Sequence, residues 1–267
     1  MLLNGTHCLL TGATGGIGSA LAQQLAAAGV NLLLTSRSQE RLDKLCASLP
    51  QNTNAETMVA DMCCDEDIQA LALRATAMQC NVLINLSGVN TFCLLEDQPP
   101  AELQSMMQLN VIAPMRLTQL MLPGLRQRKS ATVVNIGSAF GTIGHAGYTS
   151  YCTSKFALRG FSEALRRELT DTVINVVYIA PRATATSMND AAATALNEAL
   201  GNHVDSPEWV AGEVIKAITH ERRSTVLGWP EKFFAWLNQV APTVVDRAMA
   251  KQLPVIKDFA KPSSKFS

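Results

Sequence analysis

Thr6-His7-Cys8-Leu9-Leu10-Thr11-Gly12-Ala13-Thr14-Gly15-Gly16-Ile17-Gly18 is a short apolar run that empties into a glycine-rich turn. Beyond the turn, Ile17, Leu21, Leu25 and Ala28 recur at helical spacing, so the segment reads as strand, turn and helix. That order builds a phosphate site. Glycine lets the backbone turn tightly and approach a ligand, while the unpaired amides of a helix N-terminus face an anion. A glycine turn alone is as readily a tight connection. Between a strand and a helix it favours dinucleotide binding, with Gly12, Thr14, Gly16, Ile17 and Gly18 as the cradle.

The pattern repeats outward from this unit. Strand-like runs at 31–35, 57–60, 82–84, 131–137, 173–179 and 225–227 are separated by helical patterns, among them 66–78, 100–122 and 207–219. Alternation of this kind predicts an α/β fold. No Pro/Gly/Ser-rich linker divides the chain, so residues 1–228 read as a single domain, with 229–267 as its helical extension.

Composition excludes several function classes. The chain has 267 residues, of which 48% are hydrophobic and 16% charged, enough to bury a large core. Twenty-two basic and twenty-two acidic residues balance, which argues against nucleic-acid binding. The N-terminus has no positive region followed by an apolar one, and no apolar run reaches the length of a membrane span, so a cytoplasmic location is expected. Seven cysteines without a Cys-x-x-Cys form neither a disulfide framework nor a zinc site, and Cys8 belongs to a core strand. His7, His145, His203 and His220 lack ligand spacing, so no metal is expected. Only His145, between Ser138 and Tyr151, is placed to touch a substrate.

The chemistry is carried by Tyr151 and Lys155. Four residues apart at the start of a helical pattern, they share one face, and a cation near a phenol favours the phenolate. Most Tyr-x-x-x-Lys pairs are ordinary helix-surface neighbours, but here a strand, 131–137, ends just before Ser138. In an open α/β sheet that end is where ligands bind, although a serine there equally caps a turn. Asn110 stands one turn before Pro114 inside a helical pattern, where an asparagine needs either a cap or a specific polar partner. Asp61, at the end of the third strand, serves either an adenine amino group or the next helix as a cap.

Thr11-Gly12-x-x-x-Gly16-x-Gly18, Asp61, Asn85-Leu86-Ser87-Gly88, Asn110, Ser138 and Tyr151-x-x-x-Lys155 occur in the order of the short-chain dehydrogenase/reductase family, which the chain resembles over about residues 5 to 228. The resemblance implies a Rossmann-type doubly wound parallel sheet of about seven strands. It implies bound NAD(H) or NADP(H) and hydride transfer between nicotinamide and a carbonyl or alcohol carbon. Tyr151 would be the general acid/base, Ser138 the hydrogen-bond donor to the reacting oxygen, and Lys155 the group that lowers the tyrosine pKa and holds the ribose. Asn110 would fill a gap in its kinked helix and position a water next to Lys155. Asn85, Gly88, Met62, Pro181, Thr184 and Thr186 would complete the cofactor site. Two positions depart from the family pattern: Asn-Asn-Ala-Gly is here Asn85-Leu86-Ser87-Gly88, and Pro-Gly is here Pro181-Arg182. The second leaves open whether Thr184 or Thr186 meets the carboxamide.

Cofactor preference is read after the second strand. An NAD-selective site places a carboxylate there, whereas this chain has Ser36, Arg37 and Ser38, so NADP(H) is expected over NAD(H). Segment 182–205 reads either as a lid or as a plain surface helix. In the extension, Phe233, Phe234, Leu237, Val240, Val244, Val245, Met249 and Leu253 suggest the apolar faces of two helices broken at Pro242. They pack on the protein itself or on a second subunit, or, with Lys251, Lys257, Lys261 and Lys265 nearby, contact a membrane surface. A small carbonyl or alcohol substrate and a homodimer or homotetramer, paired through 100–122 and 150–169, complete the expectations.

Overall fold

In the computed structural model, which describes residues 1–260, the side chains of the inner strands alternate between two apolar layers. The strands are β1 (His7–Thr11), β2 (Asn31–Ser36), β3 (Ala55–Val59), β4 (Val82–Asn85), β5 (Ala131–Ile136), β6 (Ile174–Ala180) and β7 (Ser224–Val226). They form one parallel sheet in the order β3-β2-β1-β4-β5-β6-β7. Cys8 and Leu10 of β1 face Leu21 and Leu25 of α1 (Gly16–Ala27) and Val214 of α8 (Pro207–Thr219), whereas Leu9 faces Leu71 of α3 (Asp65–Ala77) and Leu117 of α5 (Ala113–Arg126). Strands buried on both faces need apolar residues at nearly every position, which is why they read as continuous runs rather than as alternations.

The edge of the sheet departs from the sequence reading. β3 begins at Ala55, not Thr57, because Ala55 and Glu56 pair with Leu32 and Leu33; an edge strand tolerates polar residues and so loses its apolar signature. Helix α2 (Gln39–Ser48) links β2 to β3 and starts at Ser38, whose hydroxyl accepts from the Arg41 amide at 3.3 Å.

The helical pattern over 100–122 is three pieces. Helix α4 (Pro100–Met107) passes through a π turn, Gln108–Ile112, into α5. The wide turn falls just before Pro114, whose missing N–H cannot serve an ordinary helical ladder. α5 then continues through Pro123 to Arg126. The segment after β6 contains a helix, α7 (Ala191–Ala199), capped by Asp190, whose carboxylate accepts from Ala193 N at 2.7 Å.

The extension holds three helices rather than two: α9 (Glu231–Val240), α10 (Pro242–Ala250) and α11 (Leu253–Phe259). The break at Pro242 is present, and a second one falls before Pro254. Ala235, Val245, Ile256 and Ala260 are its buried residues, so the extension packs on the protein's own surface, while Phe233, Trp236, Val240 and Val244 stay exposed. Among the described residues no helix is long and apolar enough to cross a membrane. Lys261 and Lys265 lie outside the described residues.

Candidate active site

The strand order reverses between β1 and β4, and the crevice of such a sheet opens there, beyond the C-terminal strand ends. A cleft of about 920 Å³ occupies that place. Its floor at one end is the glycine turn. Gly12 sits at φ +67°, a conformation that L side chains rarely adopt, and a Cβ on Gly18 would come within 2.2 Å of the Gly12 carbonyl oxygen. Only glycine lets α1 start so close to the turn. The first turn of α1 has no side-chain cap and no acidic residue, so its amides remain for an anion. A Cβ on Gly16 would meet Thr186 Cγ2 at 2.6 Å, which brings the segment after β6 down over the same turn.

At the far end, Arg37 is exposed and lines the cleft beside Ser36. The Ser36 hydroxyl is tied to the Ser38 backbone, donating to its oxygen and accepting from its amide, both at 3.2 Å. Arg41 also lines this end, held by a 2.9 Å hydrogen bond from Nη2 to the Thr14 oxygen. Sequence reading passed over Arg41 because it lies inside α2; its spacing of one helical turn after Arg37 was the available signal. Asp61 and Met62 line the cleft just past β3, and Asp61 Oδ1 accepts from Cys63 N at 2.9 Å, so the carboxylate caps the turn into α3.

Two expected contacts are absent from the cleft wall. Asn85 turns away: its Nδ2 donates to Asn135 Oδ1 at 2.8 Å and Thr118 Oγ1 at 3.2 Å, inside a buried polar ladder that continues from Asn135 Nδ2 to Ser162. Asn110 lies behind the wall, 1% exposed. It does not fill a gap in its own helix. Its Oδ1 accepts from Val89 N and its Nδ2 donates to Val89 O, both at 2.9 Å, and Nδ2 also donates to Ser154 Oγ at 3.0 Å. Asn110 therefore staples the loop after β4 to α6 (Thr149–Glu168). Gly88 fits this staple tightly, since a Cβ there would lie 3.1 Å from Asn110 Oδ1 and 3.7 Å from Lys155 Nζ.

Ser138, Tyr151 and Lys155 meet at the middle of the cleft. Ser138 stands just past β5, and the glycines around it admit Tyr178: a Cβ on Gly137 would reach within 2.2 Å of the Tyr178 hydroxyl. That support was not legible in the sequence. The first two turns of α6 present Tyr151, 8% exposed, and Lys155, 5% exposed. Burial pushes the phenol up to about 12, opposed by a hydrogen bond with the Ser138 side chain. Burial likewise lowers the Lys155 ammonium to about 8. Lys155 Nζ donates to Ile136 O at 3.2 Å and lies 5.6 Å from the centre of the Tyr151 ring. In the protein alone the tyrosine pKa is set by loss of water, which raises it, with the Ser138 hydrogen bond as the opposing influence. His145 stacks on Phe140 with ring centres 5.1 Å apart, and burial lowers its pKa, which keeps it neutral.

The lowered lysine has a consequence for stability. Between pH 8 and 10.5 the unfolded chain binds the Lys155 proton while the folded one has released it, so stability rises with pH across that window. Measured against Lys155→Met by urea unfolding, the wild type should gain on the order of 2 kcal/mol from the low end of the window to the high end. A pH-independent difference would contradict the burial of an ionisable amine.

After β6, Pro181 and Thr186 line the cleft, as does Thr184, whose hydroxyl donates to Arg182 O at 3.1 Å. Arg182, at the position of the family glycine, spans outward instead. Its Nε and Nη2 each hold one oxygen of Asp205 at 2.9 Å, and Nη1 holds Glu231 at 3.1 Å and the Trp229 oxygen at 3.0 Å. Among the described residues no cluster of His, Cys, Asp and Glu could hold a metal ion.

A parallel sheet with a glycine turn at its switch point and Ser, Tyr and Lys converging beyond it is the architecture of an NAD(P)-dependent dehydrogenase/reductase. Residues 6–197 match the family model described as short chain dehydrogenase, and the chain belongs to that family. It is 30% identical over 255 residues to the ketoacyl reductase HetN of Nostoc sp. strain PCC 7120, covering 92% of this chain and 88% of that one. It is 31% identical over 203 residues to the 3-oxoacyl-[acyl-carrier-protein] reductase FabG of Pseudomonas aeruginosa, covering 75% and 82%. A short-chain dehydrogenase from Streptomyces avermitilis superposes with a TM-score of 0.78 at 28% identity, over 94% of this chain and 96% of that one.

Proposed function

We propose that the protein is an NADP(H)-dependent carbonyl reductase, or alcohol dehydrogenase in the reverse direction. The observation that carries this reading is the convergence of Ser138, Tyr151 and Lys155 in one cleft with the glycine turn and the Arg37–Arg41 pair. Bound NADP(H) supplies the hydride or accepts it. Gly12, Thr14, Gly16, Ile17 and Gly18 hold its pyrophosphate, and Arg37 with Ser36 takes the 2′-phosphate, joined by Arg41. Met62 and Asp61 border the adenine, Lys155 the nicotinamide ribose, and Pro181 and Thr186 the carboxamide end.

In reduction, Tyr151 gives its proton to the carbonyl oxygen, and Ser138 donates a hydrogen bond to the same oxygen as charge develops on it. A phenol held at about 12 keeps its proton throughout the neutral range, as a general acid must. Asn110 holds the backbone behind Gly88 and the base of α6 in register, so that Lys155 and Tyr151 stay on the cleft wall. Carbonyl reduction is also what the names of the Nostoc and Pseudomonas relatives state for those proteins. NADPH absorbance against a panel of carbonyl compounds tests the reading. Cofactor binding without oxidation by any of them would favour a redox-sensing or scaffolding protein instead.

The assembly we propose is a homodimer or homotetramer paired through α4, α5 and α6. Leu103, Ile112, Met115 and Phe156 stand exposed on these helices, an apolar set that a second copy would cover. Light scattering at micromolar concentration should give a multiple of the chain mass, and Phe156→Glu should shift it toward the monomer. A monomeric wild type would contradict the pairing.

A further inference from the structure

We infer that α9–α11 form a roof over the substrate half of the cleft, one that selects neutral carbonyl compounds with an extended apolar body and rejects those carrying a carboxylate beside the reacting carbon. The inference rests on the hydride-transfer reading above, and names the substrate class of that site.

The roof is fastened to each of the three loops that border the substrate half. Asn238 Nδ2 of α9 donates to Thr142 O at 2.9 Å, which holds the loop after β5. Glu231, at the start of α9, is bound by Arg182, and Arg182 also grips Asp205, which closes the segment containing α7. Ile256 of α11 packs in one buried cluster with Phe92 and Tyr148. A Cβ on Gly147, in the loop after β5, would stand 2.4 Å from Phe92, in the loop after β4, and 3.4 Å from Ile256, so these two loops meet the roof at a position that only glycine fits. These fastenings make the extension part of the pocket rather than an appendage.

What the roof shows to the cleft is apolar apart from Glu231, which Arg182 binds, and Gln252. Phe234, Val245, Ala248 and Met249 line it from above, and Phe140 and Ile143 line it from the loop after β5. The charges on this side are already spent. Arg182 is the one guanidinium on the substrate wall among the described residues, and it faces two carboxylates, so that group sums to one net negative charge. His203 stands 3.3 Å from Asp205 and, when protonated, pairs with it. His145 is kept neutral by burial. Arg37 and Arg41 stand at the opposite end with Thr14 and Ser36. An anionic group next to the reacting carbonyl would thus give up its water to face apolar side chains and a carboxylate, while the one lysine lining the cleft among the described residues, Lys155, is buried and already donates to Ile136 O. A methylene chain gains from every group it buries there.

The test is kcat/KM with NADPH for methyl ketones from butanone to undecanone and for 2-oxo acids of matching length, with displacement of Nile red by the same compounds as a readout that needs no turnover. The expected result is a rise of about three- to fourfold per added methylene until the compartment is filled. The 2-oxo acids should be reduced far more slowly than ketones of equal length. Phe234→Ala should flatten the chain-length slope; Met249→Arg should lower the long ketones and raise the oxo acids. A flat slope, or oxo acids as good as ketones, would overturn the inference. So would a slope that neither substitution alters in folded protein. Graded displacement of Nile red without any NADPH oxidation would instead sink the hydride-transfer reading and leave the apolar compartment standing.

Discussion

Tyr151→Phe should lower kcat by about 10³-fold while NADPH affinity stays close to that of the wild type, because the substitution deletes a proton donor and no phosphate contact. The ring itself stays, packed edge-on to Phe140 at 6.2 Å between centres, so the fold should lose only about 1 kcal/mol for the hydrogen bond with Ser138. Steady-state rates and cofactor titration by fluorescence, on protein whose circular dichroism matches the wild type, separate these effects. Appreciable turnover in the folded variant would remove Tyr151 from the role of acid. Ser138→Ala should fall in the same direction by a smaller factor, since one hydrogen bond to the developing oxyanion is lost while the proton donor remains.

The second large effect is expected at the other end of the cleft. Arg37→Ala should raise the KM for NADPH by up to about 100-fold, the value of a charge-assisted hydrogen-bond pair, and leave the KM for NADH little changed. A carboxylate after β2 would accept from ribose hydroxyls and repel a 2′-phosphate, and here the position is a guanidinium beside Ser36, with Arg41 behind it. Arg41 is partly committed to Thr14 O, so Arg41→Ala should weaken NADPH by less and also loosen the glycine turn. If the wild type uses NADPH and NADH equally, or Arg37→Ala affects both alike, Arg37 does not read the phosphate.

Much of this was legible in the chain because each part has a local cause. The turn from Gly12 to Gly18 announces itself through residues that no other geometry demands, and the five inner strands through apolar runs that burial on both faces requires. Tyr151 and Lys155 follow from helical spacing taken together with the strand that ends just before Ser138. What could not be read depends on partners distant in sequence. Asn110 looks like a helix defect until Val89 and Ser154 are placed around it. Asn85, one step from the cleft, is drawn into the interior by Asn135, which comes fifty positions later. The apolar residues of the extension suggested buried faces, yet Phe233 and Val244 are exposed, and the buried positions are Ala235, Val245 and Ile256. Periodicity finds an apolar stripe without saying how much surface is available to cover it. Nor could pattern weigh desolvation against the Ser138 hydrogen bond at Tyr151, where burial prevails.

Arg182 shows the same limit from the other side. Read as the loss of a glycine, it leaves open whether Thr184 or Thr186 meets the carboxamide. The structure gives it an employment of its own, joining Asp205 to Glu231 across the edge of the cleft. Gly228, at φ +86°, makes room for it, since a Cβ there would come within 2.7 Å of the guanidinium. The glycine removed from one strand end has a counterpart at the next.

The most direct measurement is transfer of label from NADPH deuterated at C4 of the nicotinamide to the alcohol formed from an apolar methyl ketone, followed by mass spectrometry. Deuterium should appear on the carbinol carbon with the wild type and be lost to near background with Tyr151→Phe. NADPH bound in the cleft but no deuterium in any product, across the whole ketone series, would contradict hydride transfer as the function of this protein.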